Sequence, residues 1–261
     1  MFNRMADIYE EIVRIRAEGK EAALVTIVSA SGSTPREEGA KMLVKADGSI
    51  VGTIGGGNLE AQVIKEAMKV SRQGKPKRLH IGLTAQDVEE EGMLCGGEVE
   101  VFIEPILTSP TLYIFGGGHI ALPLARMGKL LGFKVVVIDD RAEFASANRF
   151  PEADMTLADD FTKIFPRLKI DKSSYIVIVT RNHQYDDMVL EWAVGTKAKY
   201  IGMIGSKAKN KAIFSHLLTK GTPKEQLDKV HAPIGLEIQA QTPEEIAVSI
   251  LAEIIMVRRS P

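Results

Sequence analysis

The period of the apolar positions changes along the chain, and each change marks an element. Residues 4–18 place Ile8, Ile12, Val13 and Ile15 at helical spacing, which predicts an amphipathic helix. "AALVTIVSA" (22–30) is a β-branched run, and "KMLVKADGSIVGTI" (41–54) reads as a hairpin about Asp47-Gly48. Leu59, Val63, Ile64, Ala67 and Val70 then mark one face of a helix that stops near Gly74 and Pro76. Two further strands follow, "KRLHIGL" and "GEVEVFIEPI". The opening third is therefore a small α+β unit. "EPILTSPT" (104–111) has prolines and no periodicity, so the domain boundary falls there, giving domains 1–106 and 107–261.

Beyond that boundary, strand and helix patterns alternate, which predicts a parallel sheet. Strands are expected at "TLYIF", "KVVVID", "SSYIVIV" and "KYIGMI", with a short one at 154–157. Helices are expected at about 118–131, 159–165, 185–196 and 206–219. In "QTPEEIAVSILAEIIMVRR", Thr242 is the predicted N-cap, Pro243 the first helical residue and Glu245 the partner in a capping box. Arg258 and Arg259 suit the negative end of that helix. The expected fold is α/β: a C-terminal Rossmann-type parallel sheet with a smaller N-terminal α+β domain.

Two glycine runs stand where strand gives way to helix. In "YIFGGGHIALPLA" (113–125), Gly116, Gly118 and Ala121 fit the G-x-G-x-x-G/A pattern, with Gly117 and His119 inside the turn. Such a turn lets backbone approach a pyrophosphate, and the helix start offers unpaired amides to its oxygens. About twenty residues on, Asp139 ends the next strand, where it either holds a ribose hydroxyl or caps the following turn with Asp140. "GTIGGGNLEA" (52–61) repeats the arrangement with Gly55, Gly56, Gly57 and Asn58. "YIGMIGSKAKN" (200–210) offers a third version, in which Gly205 and Ser206 open a helix and Lys207 reaches an anion, or Ser206 merely caps it.

Other candidates are sparser. "SGSTPREEGAKM" (31–42) carries Arg36 among small polar residues, either as a forked contact to an anion or as a solvated loop. In "TRNHQYDD" (180–187), His183, Asp186 and Asp187 are weak candidates for an acid–base group on a loop after a strand. "HAPIGLEIQA" (231–240) is a lid or a connection. Cys95 in "MLCGGEVEVF" is a buried thiol or a contact to a soft metal or sulfur. No cluster of His, Cys and carboxylates has metal spacing, so no structural metal is expected.

Bulk composition narrows the classes. A net charge of −1 over 261 residues gives no reason to expect nucleic acid or an anionic membrane as partner. No run reaches the ~20 apolar residues that span a bilayer, and the N-terminus has no signal-peptide pattern. One cysteine forms no internal disulfide and suits a reducing compartment. A soluble cytoplasmic protein is expected, and exposed strand edges in the first domain suit a homodimer.

Together, "GSTPREEGAKMLV", "GTIGGGNLEA", "CGGEVEVFIEP", "YIFGGGHIALPLA", "VVVIDDRAEFA", "TRNHQYDD", "YIGMIGSKAKN" and "PIGLEIQAQTPEEIAVSILAEII" resemble the xanthine dehydrogenase accessory (XdhC/CoxI-type) family. The match runs in order from about residue 31 to residue 255. The resemblance implies a protein that binds molybdopterin, the organic part of the molybdenum cofactor, protects its sulfurated form and helps insert it into apo molybdenum hydroxylases of the xanthine dehydrogenase type. It implies an accessory chaperone, not an enzyme, with the apo-enzyme and a cofactor sulfurase as partners. Gly116, Gly118 and Asp139 match the family's nucleotide-binding pattern; Gly55, Gly56, Gly57 and Glu60 match its first glycine turn, and Cys95 its Cys-Gly-Gly element. Many relatives carry a cysteine directly after that first triplet, where this chain has Asn58, which is no soft ligand. Two glycine turns could hold the two ends of a long anionic pterin. The competing readings are an NAD(P)-dependent oxidoreductase using His183 with Asp186 or Asp187, and a nucleotide-sensing regulatory module.

Overall fold

Alternating side chains in the first third build an antiparallel sheet with a helix on each face. The computed structural model describes residues 7–82, 97–107 and 109–260, and the chain divides into two compact units, Met1–Thr108 and Ser109–Pro261. In the first unit, β1 (Ala22–Ser31), β2 (Lys41–Lys45), β3 (Ile50–Gly52), β4 (Lys77–Gly82) and β5 (Glu98–Ile106) pair antiparallel in the order β3-β2-β1-β5-β4. Successive residues of a strand face opposite ways. Ala23, Val25 and Ile27 of β1 therefore bury against Leu59, Val63 and Ala67 of α2 (Gly57–Gln73). Ala22 and Leu43 face the other way, towards Ile15 of α1 (Ile8–Glu18). The α1 start is fixed by Asp7, whose side chain accepts from the Tyr9 amide at 2.9 Å.

The second unit is a parallel sheet of β6 (Thr111–Phe115), β7 (Lys134–Asp139), β8 (Met155–Ala158), β9 (Ser174–Ile178) and β10 (Tyr200–Met203), ordered β10-β9-β6-β7-β8. Its strands are buried on both faces and read as continuous apolar runs. One face is covered by α3 (Ala121–Leu130) and α8 (Pro243–Arg259). The other carries α4 (Phe161–Ile164), α5 (His183–Val194) and α6 (Lys207–Thr219), with the single turn α7 (Lys224–Leu227) behind them. Progression runs outward from β6 to β8 and then restarts at β9 on the other side of β6. The ends of β6 and β9 thus form the switch point at which open α/β sheets bind ligands.

The irregular segment 231–240 is pinned in place. The His231 amide donates to the Ile201 carbonyl at 2.9 Å, and the Ile234 amide to the Met203 carbonyl at 3.0 Å, so the segment borders β10. Ser249 Oγ of α8 donates to the Leu236 carbonyl at 2.6 Å. Glu253 of α8 completes the anchor, accepting from the Tyr200 hydroxyl at 2.6 Å and the Gly235 amide at 2.9 Å. The segment is a tethered connection.

Candidate functional site

The turn after β6 is built by close approach. Gly116 has φ 108°, and a Cβ there would overlap the Val179 carbonyl oxygen. A Cβ on Gly117 would overlap the Phe144 carbonyl. Gly118 is different: a Cβ there meets nothing within 4 Å. Two glycines therefore serve packing at the switch point, and the third leaves open space in front of α3. That helix begins with no side-chain cap, and the amides of Gly118, His119 and Ile120 make no hydrogen bond among the described residues. A helix start of this kind attracts anions. His119 is exposed beside it.

Charged side chains ring this turn. Asp139, 2 % exposed at the end of β7, accepts from the Gly117 amide at 2.8 Å and from Arg141. Burial alone would raise its pKa. The Arg141 guanidinium and the Gly117 and Arg141 amides more than offset this, and hold the carboxyl below its ordinary range. Arg149 Nε donates to the Gly117 carbonyl at 3.0 Å, and its guanidinium lies 5.1 Å from the Phe144 ring centroid. Arg149 pairs with no carboxylate among the described residues. Arg181 donates to Asp140 at 2.6 Å, and Tyr185 joins the same carboxylate at 3.1 Å.

His183, Asp186 and Asp187 are not hydrogen-bonded to one another. Asp186 is fully buried; it accepts from Thr180 Oγ1 at 2.6 Å and pairs with Lys209 Nζ at 2.6 Å. Asp187 faces His216 Nδ1 at 2.9 Å, and His183 is exposed at the first residue of α5. His183, Asp187 and His216 line a pocket of about 350 Å³ between α5 and α6. Ser206 caps α6, accepting from the Lys209 amide at 3.2 Å, and Gly205 lies just before it, its carbonyl accepting from Asn210 at 3.2 Å. Lys207 is exposed, while Lys209 is the lysine that turns inward.

In the first unit, two of the candidate stretches meet at one end of the sheet. Gly55 has φ 134°, and a Cβ there would overlap the Pro35 ring, so the loop bearing Arg36 lies against the glycine turn. Gly97, just before β5, would place a Cβ 2.6 Å from the carbonyls of Ser31 and Ser33 in that same loop. Arg36 and Asn58 are exposed, Asn58 in the first turn of α2. Cys95 lies outside the described residues. The turn itself wraps a carboxylate of its own chain. Glu60 accepts from Thr53 Oγ1 and from the Ile54 amide at 3.0 Å. Burial would raise its pKa, but these bonds and the Gly56 and Gly55 amides lower it on balance. The Gly55 amide donates to Thr53 Oγ1 at 3.1 Å, so the turn closes on Glu60 through that hydroxyl.

The sequence pattern singles out Gly116, Gly117, Gly118 and Asp139, but not Arg141, Phe144 or Arg149. The visible signal is "DDR" (139–141), an acid and a base two residues apart at a strand end. Among the described residues no group of three or more His, Cys, Asp or Glu could hold a metal ion. No helix among them is long and apolar enough to cross a membrane.

Comparison with known proteins agrees with this architecture. Residues 112–254 match a model of the XdhC Rossmann domain, and residues 15–82 match a model of the XdhC and CoxI family. The uncharacterized protein YqeB of Escherichia coli is 35% identical over 97% of the chain, which spans 47% of YqeB. A Bacillus subtilis protein named as a probable xanthine dehydrogenase subunit is 24% identical, with 98% of both chains covered. The molybdenum cofactor insertion chaperone PaoD of Escherichia coli is 25% identical over 97% of the chain and 90% of its own length. A solved Bacillus halodurans structure, described as a xanthine dehydrogenase, shares the fold at TM-score 0.53 and 24% identity, covering 96% of this chain and 95% of its own. The chain belongs to the XdhC family.

Proposed function

We propose that this protein binds the molybdenum cofactor and delivers it to an apo-enzyme of the molybdenum hydroxylase class, of which xanthine dehydrogenase is the type. Family membership and the names carried by PaoD and the Bacillus subtilis relative support that class of role. The observation that carries it to a particular place is the start of α3. There an uncapped helix N-terminus and an open position at Gly118 lie next to the Gly117 carbonyl that Arg149 binds, an arrangement suited to an anion. The phosphate of molybdopterin is such an anion. Holding it needs no bond-making step: amides and a guanidinium form charge-assisted hydrogen bonds, and a partner with more contacts takes the cofactor away.

Asp186 bonds Thr180 and Lys209, Asp187 bonds His216, and neither pairs with His183, so no acid–base group among the three favours hydride transfer. The test is reconstitution. Protein loaded with molybdopterin and mixed with an apo molybdenum hydroxylase should restore its activity, and Gly118→Asp, which puts a carboxylate where the phosphate sits, should not. Equal restoration by both proteins would remove the α3 turn from the account, and no restoration by either would remove the delivery role.

A further inference from the structure

In dinucleotide-binding folds, a carboxylate at the end of the second strand accepts the ribose hydroxyls. Asp139 occupies that place, but its acceptor capacity is already filled. A carboxylate offers about four lone-pair sites. On Oδ2, Asp139 accepts from the Gly117 amide at 2.8 Å and Arg141 Nη2 at 3.2 Å. On Oδ1 it accepts from the Arg141 amide at 3.1 Å and Arg141 Nε at 2.9 Å. Arg141 is held from its other side as well, with its guanidinium carbon 3.5 Å from the Phe144 ring centroid. Moving it aside would break a partly buried ion pair and a cation–π stack together.

We propose that Arg141 is a specificity-determining residue that closes the ribose position of the second unit, so that its glycine turn takes a phosphate ester with no nucleoside ribose seated on Asp139. Molybdopterin with a bare terminal phosphate fits this description. The ligand's identity rests on the proposed function; the exclusion of ribose rests on Asp139 and Arg141 alone. Arg141 is poorly placed to read a ribose 2′-phosphate instead, because that dianion would have to share the guanidinium with the Asp139 carboxylate.

The test is calorimetric titration of the wild-type chain and of Arg141→Ala with NADH and with NADPH. Unfolding midpoints and molybdopterin retention are measured on the same preparations. In the variant the Gly117 and Arg141 amides still hold Asp139, leaving acceptor sites free for hydroxyls. The expected result is no saturable NADH binding by the wild type at millimolar concentration and at least a tenfold gain in Arg141→Ala. Adding Asp139→Asn should abolish that gain. Arg141→Met, which keeps the side-chain stem over Phe144, replaces the alanine variant if that one fails to fold. The proposal is overturned if the wild type binds NADH as tightly as the variant, if a folded variant gains nothing, or if NADPH binds the wild type and is lost on removing Arg141. Failure of molybdopterin retention would strike the proposed function and leave the NADH comparison standing.

Discussion

Three neighbouring glycines divide between two duties, close packing at Gly116 and Gly117 and open space at Gly118, which makes them separable by substitution. Gly117→Ala would drive its Cβ into the Phe144 carbonyl, and backbone has no cheap way to yield. A loss of about 2–4 kcal/mol is expected, read as a lower urea midpoint. Gly118→Ala meets open space and should change stability by no more than about 0.5 kcal/mol. An equal loss in both would refute the division of labour. The sequence pattern picks out this turn because strand, glycines and helix lie next to one another in the chain. It leaves Arg141 and Arg149 unread because their roles depend on meeting residues 117 and 144 in space. Asp139 is open to two readings in sequence, and its bond to the Arg141 amide makes it a cap of its own turn.

At the level of elements, the manner in which a helix begins tells the two glycine turns apart from ordinary starts. Asp7, Asp160, Asn182, Ser206 and Thr242 supply side-chain caps to α1, α4, α5, α6 and α8. Helices α2 and α3 start at glycine turns without one. In α2 the turn closes on Glu60 instead. Glu60→Gln would face the Thr53 hydroxyl and the Ile54 amide with a group that is half donor, and a loss of about 1–2 kcal/mol at neutral pH is expected. Glu60 and Asp139 both have pKa values lowered by folding. Their stabilisation is therefore complete above the ordinary carboxylate range near pH 4 and is lost as pH falls through the lowered folded values. Wild type and Glu60→Gln should accordingly converge in stability on going from pH 7 to pH 3. A gap that widens on acidification would contradict the assignment. Element identity is largely legible in sequence: the Thr242, Pro243 and Glu245 start of α8 is present as a capping box, and the hairpin turns about Asp47-Gly48 between β2 and β3. The single turn α7 is not, since four residues carry too little periodicity to stand out from a loop.

Across the whole molecule, each unit has a core of its own, on both faces of its own sheet. Residues 109–261 should therefore unfold cooperatively as an isolated fragment, with near-ultraviolet circular dichroism from its buried aromatic residues. A fragment lacking that signal would mean the parallel sheet needs the rest of the chain. Inside it, the Tyr200–Glu253 hydrogen bond ties β10 to α8, and burial together with the Glu253 carboxylate raises the pKa of the phenol. Tyr200→Phe leaves that carboxylate short of one donor in a buried setting, at a cost of about 1–3 kcal/mol. The parallel fold is legible because alternating strand and helix patterns admit few topologies, whereas function lives in a site and not in a fold.

The most direct measurement is the amount of molybdopterin that stays with the protein purified from cells that make the cofactor, quantified by fluorescence of the oxidised pterin. Wild type should retain it in near-equimolar amount, and Gly118→Asp should lose it at least tenfold with its unfolding midpoint unchanged. Wild-type protein free of pterin, or a Gly118→Asp variant that retains as much, would contradict the account.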